Sequence, residues 1–137
     1  MTKRLSARSL ALASIGVAGA AMLLTAGLIA ALYAGVDRIP IRNRLLGGLF
    51  TWSWMAAPYF IIVAAARYLA PWRRRSVVLL AATVIATAFA ALEMSLCLLH
   101  PTSTAPLALL VMPLFQMLGM LVVIWIAVAL IAPDEAA

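Results

Sequence analysis

Apolar residues gather into four long stretches, from about Leu10 to Tyr33, Leu45 to Leu69, Ser76 to Leu99 and Ala105 to Ile131. A helix that crosses a bilayer needs roughly 20 mostly apolar residues, because its backbone hydrogen bonds must close internally where no water is available. Each stretch is long enough, and each is bounded by charge, proline or both. Arg38 to Arg44, Pro71 to Arg75 and His100 to Pro106 separate them. Links this short make each helix antiparallel to the next and leave no room for a soluble domain. The pattern predicts an all-α integral membrane protein: a four-transmembrane-helix antiparallel bundle with short loops, forming a single membrane domain over residues 1–137.

Composition supports the same expectation. Of the 137 residues, 67% are hydrophobic and only 10% charged, and the mean hydropathy is +1.14. A soluble fold of this size cannot hide so much apolar surface. The first stretch invites comparison with a signal peptide, since Lys3, Arg4 and Arg8 precede it and Ala18-Gly19-Ala20 resembles a cleavage site. A secretory apolar core is about 7 to 15 residues long, however, and this one continues to Ala34, so an uncleaved helix is expected.

The basic residues set an orientation. Lys3, Arg4 and Arg8 at the N-terminus and Arg67, Arg73, Arg74 and Arg75 between the second and third stretches fall on one side. Arg38, Arg42 and Arg44 in the first link, with Asp37, and His100 in the third fall on the other. The bias places both termini and the second link in the cytoplasm of a multi-pass protein in a bacterial plasma (inner) membrane. A net charge of +6 also raises nucleic-acid binding. These arginines flank helices and have no aromatic interleaving on a soluble surface, so the expected partners are lipid headgroups, at Arg38, Arg42 and Arg44 on one face and Arg73, Arg74 and Arg75 on the other.

Without a soluble domain, function must lie in the helices or their short connections. Glu93 is the only acidic residue inside an apolar stretch, seven residues before His100. At 1.5 Å per residue it lies about 10 Å below the outer end of its helix. A carboxylate at that depth must be paired, hydrated or protonated, so it should face protein or water. Ala86, Ala90, Cys97 and His100 lie near its direction, and the small residues among them favour close helix approach. Gln116, near the middle of the fourth stretch, is the second polar candidate, accompanied by Met112, Gly119 and Met120. Its amide is either interhelical glue or a ligand contact.

Two prolines sharpen this picture. Pro113 cannot donate to the carbonyl of Leu109, and Pro58, beside Tyr59, cannot donate to that of Trp54. Together with Thr25, Ser53, Ser95 and Cys97 they suggest a polar layer in the half of the membrane away from the cytoplasm, with Tyr59, Cys97 and His100 as secondary candidates. In the first helix Gly16, Ala20, Gly27 and Ala31 recur near one side and are expected to form a packing face, as are Ala86, Ala90 and Gly119 elsewhere. Tyr33, Trp52, Trp54 and Trp72 are expected near the membrane boundaries.

Redox and catalytic motifs are weak or lacking. Met94, Cys97 and His100, with Met112, Met117 or Met120, contain soft ligands, but one cysteine and one histidine match no closed metal motif. No metal and no cofactor is expected. No GxSxG, HExxH or phosphate-binding glycine loop occurs, and Glu93 lacks an acidic partner, so the sequence points away from an enzyme.

Small-residue faces, sparse polar anchors and minimal loops point first to a non-catalytic membrane component, assembled with itself as a homo-oligomer or into a larger transport, respiratory or envelope complex. An oligomeric transporter is the main alternative, with Glu93 exchanging a proton for a cationic or amphipathic substrate. A lipid-binding or sensing role through the arginine clusters is the third.

Overall fold

A computed structural model describes residues 6–34, 40–99 and 105–129, with backbone alone at 96–99 and 105–109. Four helices fill this range: α1 (Ala7–Ala34), α2 (Ile41–Leu69), α3 (Arg73–Leu99) and α4 (Ala105–Ala129). All four contain a segment long and apolar enough to cross a membrane. The chain is thus a multi-pass, four-helix all-α membrane bundle.

Local signals set the helix ends. The Ser6 hydroxyl accepts from the backbone N–H of Ser9 at 3.1 Å and caps α1. At the start of α2 the Pro40 carbonyl accepts from Asn43 and Arg44, so the helix begins at Ile41, four residues ahead of its apolar stretch. Similarly, α3 begins at Arg73. Hydropathy marks where hydrocarbon begins, whereas the helical backbone continues into the basic flank. Pro71 follows the end of α2, and the turn to α3 is closed by Ser76, whose hydroxyl donates to the Leu69 carbonyl at 3.1 Å. That bond satisfies one of the carbonyls a helix end leaves open.

Within the bundle, α1 packs on α2 and α3, α4 packs on the same two helices, and α1 and α4 do not meet among the described residues. Helices α2 and α3 form the shorter diagonal. Because each helix reverses direction relative to the one before it, α1 lies parallel to α3, and α2 to α4. This order brings all four helices around one interior.

Packing follows the logic of a bundle in lipid, where small residues let helices approach. Ala18, Ala56, Ala66 and Ala127 are fully buried together with Ile62, Leu69 and Leu79. Large apolar side chains such as Leu23 (76% exposed) and Phe50 (71%) point outward. Interior hydroxyls bond to their own helices, Ser14 to the Leu10 carbonyl at 3.1 Å and Thr83 to that of Leu79 at 2.7 Å. Such bonds remove the cost of an unpaired donor in an apolar medium.

The small-residue face expected to pack on α1 is not the side turned into this bundle. Gly16, Ala20 and Gly27 are exposed, and a Cβ at either glycine would meet nothing within 4 Å. Instead Leu10, Ser14, Ala18, Ala21 and Ile29 turn inward. Both sides of α1 are rich in small residues, so smallness alone does not select one. Gly119 of α4 is likewise exposed with open space around it, since the inward face carries Pro113, Met120 and Ala127. On α3 Ala86 does abut the core.

The tryptophans of α2 bond to neighbouring helices. Trp52 and Trp54 lie eleven and thirteen residues into α2, about 16 to 20 Å from its start. The Trp52 indole N–H donates to the Met22 carbonyl of α1 at 3.1 Å, and that of Trp54 to the Leu110 carbonyl of α4 at 2.8 Å. They tie helices together away from the helix ends.

Candidate functional site

Past the midpoints of α1 and α3, at the middle of α2 and before the middle of α4, the four helices separate enough to leave a cavity of about 240 Å³. It therefore lies in the half of the bundle nearer the α1–α2 and α3–α4 connections. Glu93 and Gln116 both line it, as do Tyr59 and Ala90. Thus the two principal polar candidates, one secondary candidate and one small residue from the sequence pattern meet in one place. Thr25 and Ser95 join them, whereas Ser53 is exposed and outside the lining.

Each helix contributes through its inward face. Thr25 lies eleven residues after Ser14, nearly in register on the buried side of α1. Tyr59 follows Pro58, and both are buried. Pro113 and Gln116 are three residues apart on α4, one turn of the same face. The proline kink positions expected from the sequence therefore border the cavity, at Pro113 directly and at Pro58 beside Tyr59.

The lining is rich in electron pairs. Glu93 Oε1 is sealed from the surface and has no hydrogen-bond partner among the described residues. No hydrogen bond joins it to Gln116 among those residues, so the two share a cavity without bridging it. Thr25 and Ser95 donate their hydroxyl protons to the carbonyls of Ala21 (2.8 Å) and Ala91 (2.7 Å). Their remaining lone pairs can only accept. The Thr87 hydroxyl, within reach of Tyr59, forms no hydrogen bond of proper geometry. Among the described residues the lining contains no lysine, arginine or histidine.

Neither a family model, a curated protein nor a solved structure matches the chain. Sequence reasoning singled out Glu93, Gln116 and Tyr59 because a polar group in an apolar run is conspicuous. It passed over Met55 and Thr87, which also line the cavity, because neither stands out until the helices are assembled.

The remaining candidates lie elsewhere. Arg38 and His100 are outside the described residues, as is the side chain of Cys97, whose backbone belongs to α3. Arg42, Arg73 and Arg74 are exposed. Arg75, grouped with the lipid-facing arginines by sequence, is turned inward: it is 8% exposed and its Nη2 donates to the Val128 carbonyl at 3.1 Å. Its guanidinium sits 4.7 Å from the centre of the Trp72 ring. A cation at the last carbonyls of α4 also complements the negative end of that helix.

Arg44 borders a second, more open cleft of about 710 Å³ between α1 and the first half of α2. Apart from Arg44 its walls are almost wholly apolar or aromatic, including Ile29, Leu45, Leu49 and Trp52. Hydrocarbon chains of the bilayer suit such a surface.

Proposed function

We propose that this protein binds a small cation in the cavity between its four helices and carries it across the membrane, with Glu93 exchanging a proton for that cation. The observation carrying this reading is Glu93, which lines the cavity and whose buried Oε1 has no hydrogen-bond partner among the described residues. A carboxyl group serving as interhelical glue would have its partner. An unpartnered one in the same lining as the accepting hydroxyl oxygens of Thr25 and Ser95, with no basic residue among the described ones there, is suited to a positive ligand. Size narrows the choice, because pockets for drug-sized molecules run from about 300 to 1,000 Å³. A cavity of about 240 Å³ favours a metal ion or a small organic cation over a bulky amphiphile.

Purified protein in vesicles should take up a small monovalent cation when a pH gradient is imposed. Uptake should vanish in Glu93→Gln, and undiminished uptake in that variant would reject the exchange role.

An assembly role is a second reading, favoured by the exposed Gly16, Ala20 and Gly27 on α1. In it the protein is a non-catalytic component whose α1 packs against another membrane helix. Thiol cross-linking from Gly16→Cys or Ala20→Cys, each in a Cys97→Ser background, should then trap a defined neighbour in the membrane. In both readings the arginine pattern orients the termini toward the cytoplasm of a bacterial plasma membrane.

A further inference from the structure

Three methionines converge on the cavity from three different helices: Met55 of α2, Met94 of α3 and Met112 of α4. The described residues hold six methionines in all, the others being Met22, Met117 and Met120. Half of them thus line the same cavity as Glu93, the one carboxylate among the described residues. Methionine fills apolar gaps well. A metal ion that replaces the Glu93 proton, however, can satisfy the sulfurs and the carboxylate together, which filling alone does not do.

Ligand type then selects the ion. Calcium and magnesium favour sets of six or more oxygen ligands, whereas thioether sulfur is a soft donor that selects Cu(I). Charge selects in the same direction. One monovalent ion neutralises one carboxylate, while a divalent ion leaves an uncompensated positive charge in a low-dielectric interior. We infer that the cavity is a site for a soft monovalent metal ion, Cu(I) or its analogue Ag(I), held by the thioethers of Met55, Met94 and Met112 with Glu93 as counter-charge. This rests on reading the cavity as a cation site, and it names the class of cation.

Ag(I) is the suitable probe, since it needs no reductant. It is titrated into the full-length protein in detergent, in chloride-free buffer, in a Cys97→Ser background that removes the competing thiol. One ion should bind per chain. Losing even a group that only supports a metal's ligands costs about 10- to 100-fold in affinity, so each of Met55→Leu, Met94→Leu and Met112→Leu should weaken binding by at least about tenfold. Met117→Leu, outside the lining, should leave it unchanged. These substitutions nearly conserve volume, and helical circular dichroism checks that each variant folds.

A triple leucine variant that binds Ag(I) as tightly as its parent overturns the inference. Tetramethylammonium, titrated in parallel, separates the two proposals. Glu93-dependent binding of tetramethylammonium without methionine-dependent binding of Ag(I) overturns the soft-metal site but leaves the cation cavity standing. If neither probe depends on Glu93, both fall.

Discussion

The indole N–H of Trp54 donates to the carbonyl of Leu110 at 2.8 Å, one residue beyond the Leu109 carbonyl that Pro113 cannot serve. The bond joins α2 to α4 beside the cavity, where the proline interrupts the regular helical ladder. Trp54→Phe keeps an aromatic ring and removes only the donor. It should lower stability by about 1 kcal/mol, the usual net worth of one hydrogen bond. Thermal unfolding in detergent measures this, with Trp125→Phe as reference because Trp125 is 64% exposed. Equal effects at the two positions would deny Trp54 its tie.

Tyr33 and Gly47 meet closely where α1 and α2 pack. A Cβ at Gly47 would lie 3.1 Å from Cε1 of the Tyr33 ring and 3.3 Å from its hydroxyl oxygen. The ring has little freedom to retreat, since that hydroxyl is hydrogen-bonded to Thr51 Oγ1 at 3.2 Å. Overpacking costs about 1 to 3 kcal/mol, and replacing glycine by alanine in a helix returns about 1 kcal/mol. Gly47→Ala should therefore destabilise the protein, while in a Tyr33→Ala background the same change should stabilise it. A double-mutant cycle reads that reversal of sign directly.

Sequence alone made the four crossings legible, because each apolar stretch is long enough and separately bounded. It also exposed Glu93, Gln116 and Tyr59, whose polarity is out of place in an apolar run. It did not reveal which side of α1 faces inward. Ser14 and Thr25 held the usable signal: eleven residues at about 100° each return to nearly the same direction, and hydroxyl side chains turn away from lipid. Gly16, Ala20 and Gly27 formed the more obvious stripe, yet they lie outside. Met55 and Thr87 had no local signal at all, since their meeting with Glu93 depends on α1 and α4 occupying opposite corners.

Arg75 predicts a division within the basic run. Its charged hydrogen bond to Val128 and its place over Trp72 hold the start of α3 against the end of α4. Hydrogen bonds to charged groups contribute about 1.5 to 3 kcal/mol, and Arg75→Met, which retains an apolar stem, should cost about that much. Arg67→Met, at an exposed position near the end of α2, should change stability by no more than about 0.5 kcal/mol. If lipid attraction alone accounted for the basic residues, the two variants would behave alike and both would weaken association with anionic vesicles.

Glu93 should trade stability for binding. Its sealed oxygen makes no hydrogen bond among the described residues, and an unsatisfied buried polar atom costs about 1 to 3 kcal/mol. Glu93→Leu removes that cost and adds apolar contact with a cavity wall that already contains Leu24, Met55 and Met112. The variant should unfold at a higher temperature than the parent while losing cation binding. An interhelical anchor would give the opposite stability result, because removing one member of a buried polar pair leaves the other unsatisfied. Unfolding measured without added cation distinguishes the two, since a ligand bound only to the parent raises its apparent stability. A parent protein that is more stable than Glu93→Leu under those conditions would assign the carboxyl group to structure and remove the main support for the cation cavity.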